Sequence, residues 1–252
     1  MCDSCWGGQQ LVAEDVNNTI NLEDYQSVNI NKETKIITGS YPRNVSINVD
    51  NNGEIISRVE EFLGKTDINI QNNSNATFEN EVYIENPDLN IMNNSTADFN
   101  EITFDSSGEG LLLLDNSTLD IDGEATFIRT DALINNGSTA KIDNLVDIES
   151  KIYVVNDSKL EINKDAFFGG THLIIEDNSN TTINGALTVT SSGTLVNGEY
   201  VENYGSIKID KSDLNVGGVA DFMDSALVVQ NGSKVLFGNN FTMKNGAEKS
   251  II

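Results

Sequence analysis

Only two cysteines, one histidine, three arginines and two prolines occur in the 252 residues, and no long apolar run is present. Each shortage removes a class of function. Both cysteines sit in Cys2-Asp3-Ser4-Cys5. Two cysteines do not make a disulfide scaffold. With no second Cys-x-x-Cys and only His172 as a further nitrogen ligand, the pair reads as a local disulfide or idle thiols rather than a zinc or redox site. Arg43, Arg58 and Arg129 stand far apart in the sequence, and 15 basic against 39 acidic side chains give a net charge of −24. That balance excludes nucleic acid as a partner and disfavours an anionic membrane surface. No segment has the 18 or more apolar residues of a membrane helix, so no direct membrane insertion is expected. The N-terminus also lacks the basic-then-apolar layout of a signal peptide.

What the chain has in excess is asparagine, 35 residues, together with 20 glycines. Asparagine tolerates left-handed backbone and favours turns. The turns recur. Asn-Asn-Ser, Asp-Asn-Ser or Asn-Gly-Ser and their variants end at Ser74, Ser95, Ser117, Ser138, Ser158, Ser179 and Ser233, with successive intervals of 21, 22, 21, 20 and 21 residues from Ser74 to Ser179. Asn52-Gly53 and Ser212 extend the series in either direction.

Apolar pairs sit at fixed offsets from each anchor. Two and four residues after it come Ala76/Phe78, Leu119/Ile121, Leu160/Ile162 and their equivalents. Eight and ten after it come Val82/Ile84, Ala125/Phe127, Val146/Ile148 and Ala166/Phe168. Six and four before it come Ile68/Ile70, Leu111/Leu113, Ile152/Val154 and Leu173/Ile175. One polar residue separates the members of each pair, which is the alternation of a strand with one buried face. Three such strands per repeat close a coil. The expected fold is therefore all-β, a parallel β-solenoid of about ten coils with ~21-residue repeats spanning residues 26–252. Asparagines at the anchor corner are expected to stack as a hydrogen-bonded ladder, and the Asn-x-Ser/Thr sequons at Asn75, Asn94, Asn116 and Asn136 follow from the same turn chemistry.

Two stretches break the rhythm. Ser179 to Ser212 holds about 12 residues beyond one coil, so 191–206 is expected to leave the solenoid as a loop carrying Tyr200 and Tyr204, the candidate binding residues. Between Asn52 and Gly64, Ile55, Ile56, Val59, Phe62 and Leu63 follow helical spacing, which predicts a short helix over 53–63. Residues 1–25 fit no coil and read as an N-terminal cap or leader. Glu248 to Ile252 stop where a further strand would begin, so the chain reads as a fragment of a longer one.

Runs such as LLLLDNSTLDIDGEATFI and LVVQNGSKVLFGNNFTM resemble the passenger regions of bacterial autotransporters. That resemblance covers about residues 26–252. It implies a right-handed parallel β-helix, export to the bacterial cell surface or beyond, and a role as adhesin, toxin or enzyme carrier. Of these, a non-enzymatic adhesin or stalk is the leading expectation, because no catalytic constellation is visible. Its partners would be a host-surface protein or glycan, or sister cells through self-association.

Two other readings stand beside it. A β-helical polysaccharide-active enzyme or a tail-fibre-like protein needs clustered carboxylates, and stacking would bring Asp120, Asp122 and Glu124 near Asp143 and Asp147. No cofactor is expected, and Ca²⁺ is the one ion such a cluster would hold, weakly. The Gly-His-Gly and Arg-x-Lys signatures of pectin hydrolases are absent, and His172 is the only imidazole available to a nucleophile. The last reading is a structural subunit that assembles end to end.

Overall fold

Residues 15, 16, 18–196 and 199–251 are described by a computed structural model of the chain; Cys2 and Cys5 lie outside them. The described chain winds as a parallel β-solenoid of about ten turns with three faces and no helix. The first face begins at Thr19–Asn21, Thr34–Thr38 and Glu54–Ser57 and continues through the strands that follow each serine anchor, ending at Lys234–Phe237. The second runs from Glu61–Phe62 to Phe241–Lys244. The third runs from Ser27–Asn31 to Glu248–Ile251. In the middle coils the backbone turns the corners without leaving extended geometry: Thr96–Asp115 is one strand that contributes to all three faces. The first coil opens with Asp15–Val16 laid antiparallel on Thr19–Asn21, so pairing begins ahead of residue 26.

Side-chain alternation places one row of each strand in the core. Ile121, Ile142, Ile162 and Ile183 stack in register on the first face, each at most 2% exposed. Phenylalanines do the same where they meet, with Phe78 and Phe99 4.1 Å apart at 8° and Phe104 and Phe127 5.2 Å apart at 17°. Identical neighbours one rung apart keep their rotamers and their contact area, which is the packing a repeat offers at no extra cost in shape.

The anchor corner explains the asparagine excess twice over. It takes two successive left-handed residues, as at Asn72 (φ 57°) and Asn73 (φ 61°), Asn93 and Asn94, Asp177 and Asn178, or Asn136 followed by Gly137. Left-handed backbone costs an ordinary L-residue about 1–2 kcal/mol, less for asparagine. Side-chain amides then bridge coil to coil: Asn93 Nδ2 donates to Asn72 Oδ1 (3.0 Å), Asn116 Nδ2 to Asn94 Oδ1 (2.9 Å) and Asn156 Nδ2 to Asn135 Oδ1 (2.6 Å). The anchor serines form a second ladder inside the first. Ser74 N–H donates to Ser95 Oγ, Ser95 N–H to Ser117 Oγ and Ser117 N–H to Ser138 Oγ, at 3.1, 3.3 and 3.1 Å, all at buried residues. Turn chemistry predicts the asparagines; the buried serine ladder needs the coil to exist first.

Three expectations are corrected. Residues 53–63 are not a helix but the strands Glu54–Ser57 and Glu61–Phe62. Ile55, Val59 and Phe62 are all fully buried, because they are the inward apolar residues of strand, corner and strand, and their spacing mimics a helical face. In the four-leucine run, Leu112 and Leu114 face the core while Leu111 is 37% exposed. The run is apolar in both phases, and this coil has one residue more than its neighbours, so spacing from the anchor picks the wrong row. In the coil after Ser138 the inward pair is Leu145 and Asp147 rather than Val146 and Ile148.

Asp147 therefore stands in the core column between Phe127 and Phe168. It is fully buried, and neither carboxylate oxygen has a hydrogen-bond partner. The nearby Ser150 hydroxyl gives its proton to the Ile148 carbonyl (3.1 Å) and accepts from Thr130 N–H (3.1 Å). Burial pushes the Asp147 carboxyl up to about 8; Ser150 and the Ile148 backbone oppose that rise and Asp131 adds to it. The neutral acid is the form the core accepts.

Two measurements follow. A folded-state value near 8 against an ordinary 3.8 means that the stabilisation is complete below pH 4 and is lost as pH rises to 8, at about 1.4 kcal/mol per pH unit in between. Asp147→Asn should flatten that slope and melt higher than the parent at pH 8; identical pH–melting curves would refute the burial argument. At exposed Asn73, Asn73→Val should cost about 1–2 kcal/mol and Asn73→Gly much less, read from urea midpoints.

Candidate functional site

Between the second-face strand Leu187–Thr190 and the third-face strand Gly205–Asp210, the chain leaves the solenoid. It forms an antiparallel hairpin of Ser192–Val196 with Glu199–Asn203, paired from Ser192 with Asn203 to Val196 with Glu199. Its strands pair only with each other. The rungs close beneath it: Glu176 still lies against Asp210 and His172 against Ser206, as though the insertion were not there.

The root of the hairpin is specified closely. Ser192 Oγ donates to Glu149 Oε1 of an earlier coil (3.1 Å). Gly170 is left-handed (φ +66°), and a Cβ there would sit 2.1 Å from Ser192 Oγ. Gly205, where the chain re-enters, faces the Thr190 carbonyl, 2.6 Å from where a Cβ would stand. On the outward side His172 Nδ1 and Ser206 Oγ are hydrogen-bonded at 2.7 Å. Burial and the neighbouring Lys151 hold the imidazole below its ordinary value, with Asp131 opposing. The pair joins the third-face strand His172–Glu176 of the preceding coil to the strand Gly205–Asp210 that follows the insertion. Spacing could not have matched them, since they are 34 residues apart across the insertion.

Tyr204 stands at the root, 57% exposed. It lines a cleft of about 440 Å³ with Asp224, Ser225, Ala226, Gly246 and Glu248. Tyr200 lies further out, opposite Leu195 and one pair short of the turn-proximal pair; its side chain lies outside the described residues. Four residues of strand separate the two tyrosines by about 13 Å, so they belong to one projecting element rather than to one pocket.

The acidic cluster expected for polysaccharide chemistry is dispersed. Asp120 and Asp122 lie near Asp98, whose carboxyl is pushed up by burial and then by those two charges. Glu124 accepts from Asn144 Nδ2 (2.9 Å) and, with Glu81, raises Glu101, for which burial is again the larger cause. Asp143 pairs with Lys164 (2.5 Å). Asp147 is in the core and unavailable to a substrate. Among the described residues no three His, Cys, Asp or Glu side chains are grouped to hold a metal ion. A separate open groove of about 760 Å³ on an earlier stretch of the solenoid is lined by Tyr41, Glu60, Glu61, Glu79, Glu81 and Tyr83, among others. There Glu79 pairs with Arg58 (2.8 Å).

Gly170→Ala should displace the hairpin root, lowering stability by about 1–3 kcal/mol and raising the rate of proteolytic cutting within 192–203. An unchanged cutting rate would mean that the root is not held there.

No known protein family, curated protein or solved structure matches the chain.

Proposed function

We propose that this chain is a non-enzymatic, exported surface passenger, an adhesin or stalk of the autotransporter-passenger type with a right-handed coil, which displays the 192–203 hairpin on a stiff rod. The observation that carries this reading is the hairpin itself. A solenoid whose rungs stack across the insertion, Glu176 on Asp210, gains nothing structural from residues 192–203, yet Gly170 and Glu149 are both fitted to their presence. Residues kept in a repeat protein without serving the repeat are where binding is found. The two tyrosines suit this use, since they bring large, rigid contact area with one polar tip each.

The high negative charge fits the same role, because rods that repel one another stay dispersed. Partner classes consistent with the hairpin are a host-surface protein or glycan, or the same protein on a sister cell.

Deleting 192–204 and joining Ser191 to Gly205 tests the reading. The ends are already adjacent, because Ser192 pairs with Asn203. Adhesion of cells displaying the protein should be lost while the far-UV β spectrum and the melting temperature are kept; full adhesion by the deleted form would overturn the hairpin's role.

A second reading rests on the acidic groove with Tyr41 and Tyr83, a shape and chemistry suited to a sugar chain. Release of reducing ends from a polysaccharide panel, abolished in Glu81→Gln, would support it over the first.

A further inference from the structure

The outward side of the third face changes character along the rod. In the early coils its central column is asparagine: Asn69 Nδ2 donates to Asn48 Oδ1 (2.9 Å) and Asn90 Nδ2 to Asn69 Oδ1 (3.0 Å). In strict register, the same column continues as Leu113, Leu133, Tyr153 and Ile174, and then returns to a charge at Lys208. All four are half-buried outward residues, and Leu111 flanks them at 37% exposure. Four rungs make an apolar stripe about 15 Å long.

This stripe does nothing for the core, which is filled from the other side by Leu112, Leu114, Ala132, Ile134, Ile152, Val154, Leu173 and Ile175. The asparagine column shows what the position holds when it only has to stay wet and bonded. Contiguous apolar surface rimmed by polar residues marks an interaction site.

We infer that the 113–174 stripe is a docking surface for a protein partner presenting an apolar ridge bordered by lysine or arginine. The inference deepens the proposed adhesin role and rests on it for context, since it names part of the footprint. The stripe and the hairpin adjoin: Ile174 is on the strand of His172, whose ring is bonded to Ser206 just past the hairpin.

Chemistry and charge choose the occupant. Leucine and isoleucine have no donor or acceptor for sugar hydroxyls, so a glycan gains little from three of the four positions. A second copy would bring −24 against −24. The rim carries Asp88, Asp115, Asp131 and Glu176 against Lys151 and Lys208, with Lys208 already paired to Glu176 (2.5 Å). A cationic border on the partner is the complement of that rim and of the whole chain.

The probe is a synthetic leucine–lysine helical peptide of about 18 residues with all leucines on one face. A scrambled peptide of the same composition, lacking that face, is the control for bulk charge attraction. By fluorescence anisotropy at about 0.15 M salt, the full chain should bind the amphipathic peptide at least tenfold more tightly than the scrambled one. The variant L113N/L133N/I174N, which extends the native asparagine column, should lose that preference while keeping the melting temperature to within a few degrees. The 192–204 deletion should keep it, so that failure of the hairpin test and failure of the stripe are separable. Equal binding of both peptides by the parent, or an unchanged preference in the asparagine variant, would overturn the inference. So would a parent that sediments as a dimer and an asparagine variant that sediments as a monomer, because the stripe would then be a self-contact.

Discussion

Among the described residues of the solenoid, most backbone hydrogen bonds run to the coil before or after, about 21 residues away, and few to the same sequence neighbourhood. That constraint governs the rest. A coil must deliver three strands to the same heights and phases as its neighbours, so its length can vary only where a corner or bulge absorbs the difference, as between Phe99 and Glu101 or between Asp105 and Gly110. A corner that reverses direction within two residues needs left-handed backbone, and asparagine supplies it while offering an amide to the next coil. The composition follows from the geometry: many asparagines, few prolines, and acids on the outward rows.

Most of this is visible in the sequence because the repeat multiplies each weak signal by ten. The corner serines, the alternating pairs and the place of the insertion follow from spacing alone. The errors arise where the apolar–polar pattern does not report which row is buried. Leu111 to Leu114 are apolar in both phases. In Leu145-Val146-Asp147-Ile148 the polar residue is on the buried side, opposite to what alternation assigns. Ile55, Val59 and Phe62 are inward residues of two strands and the corner between them, at intervals that a helix would also give. The partner of His172 was out of reach for a different reason, since the insertion stretches the sequence distance from about 21 residues to 34 without changing the spatial one.

The same errors mark the informative places. Choosing the inward row in the leucine run leaves Leu111 and Leu113 outside, at the head of the apolar stripe. Placing Asp147 inside puts an ionisable group in a column of phenylalanines, one coil below the strand where Gly170 receives the hairpin. Regular coils describe the scaffold, and departures from the pattern mark its candidate functional features.

The serine and asparagine ladders, like the backbone rungs, run along the axis of the rod. A pull on its ends therefore loads a whole coil's bonds together, and a coil that yields does so as a unit. It contributes about 5 Å to the length while wound and about 70 Å once its ~21 residues are drawn out. Under tension such a rod holds its length up to a threshold and then lengthens one coil at a time, leaving the coils behind it intact. A rod that lengthens in this way limits the force it can transmit along its axis.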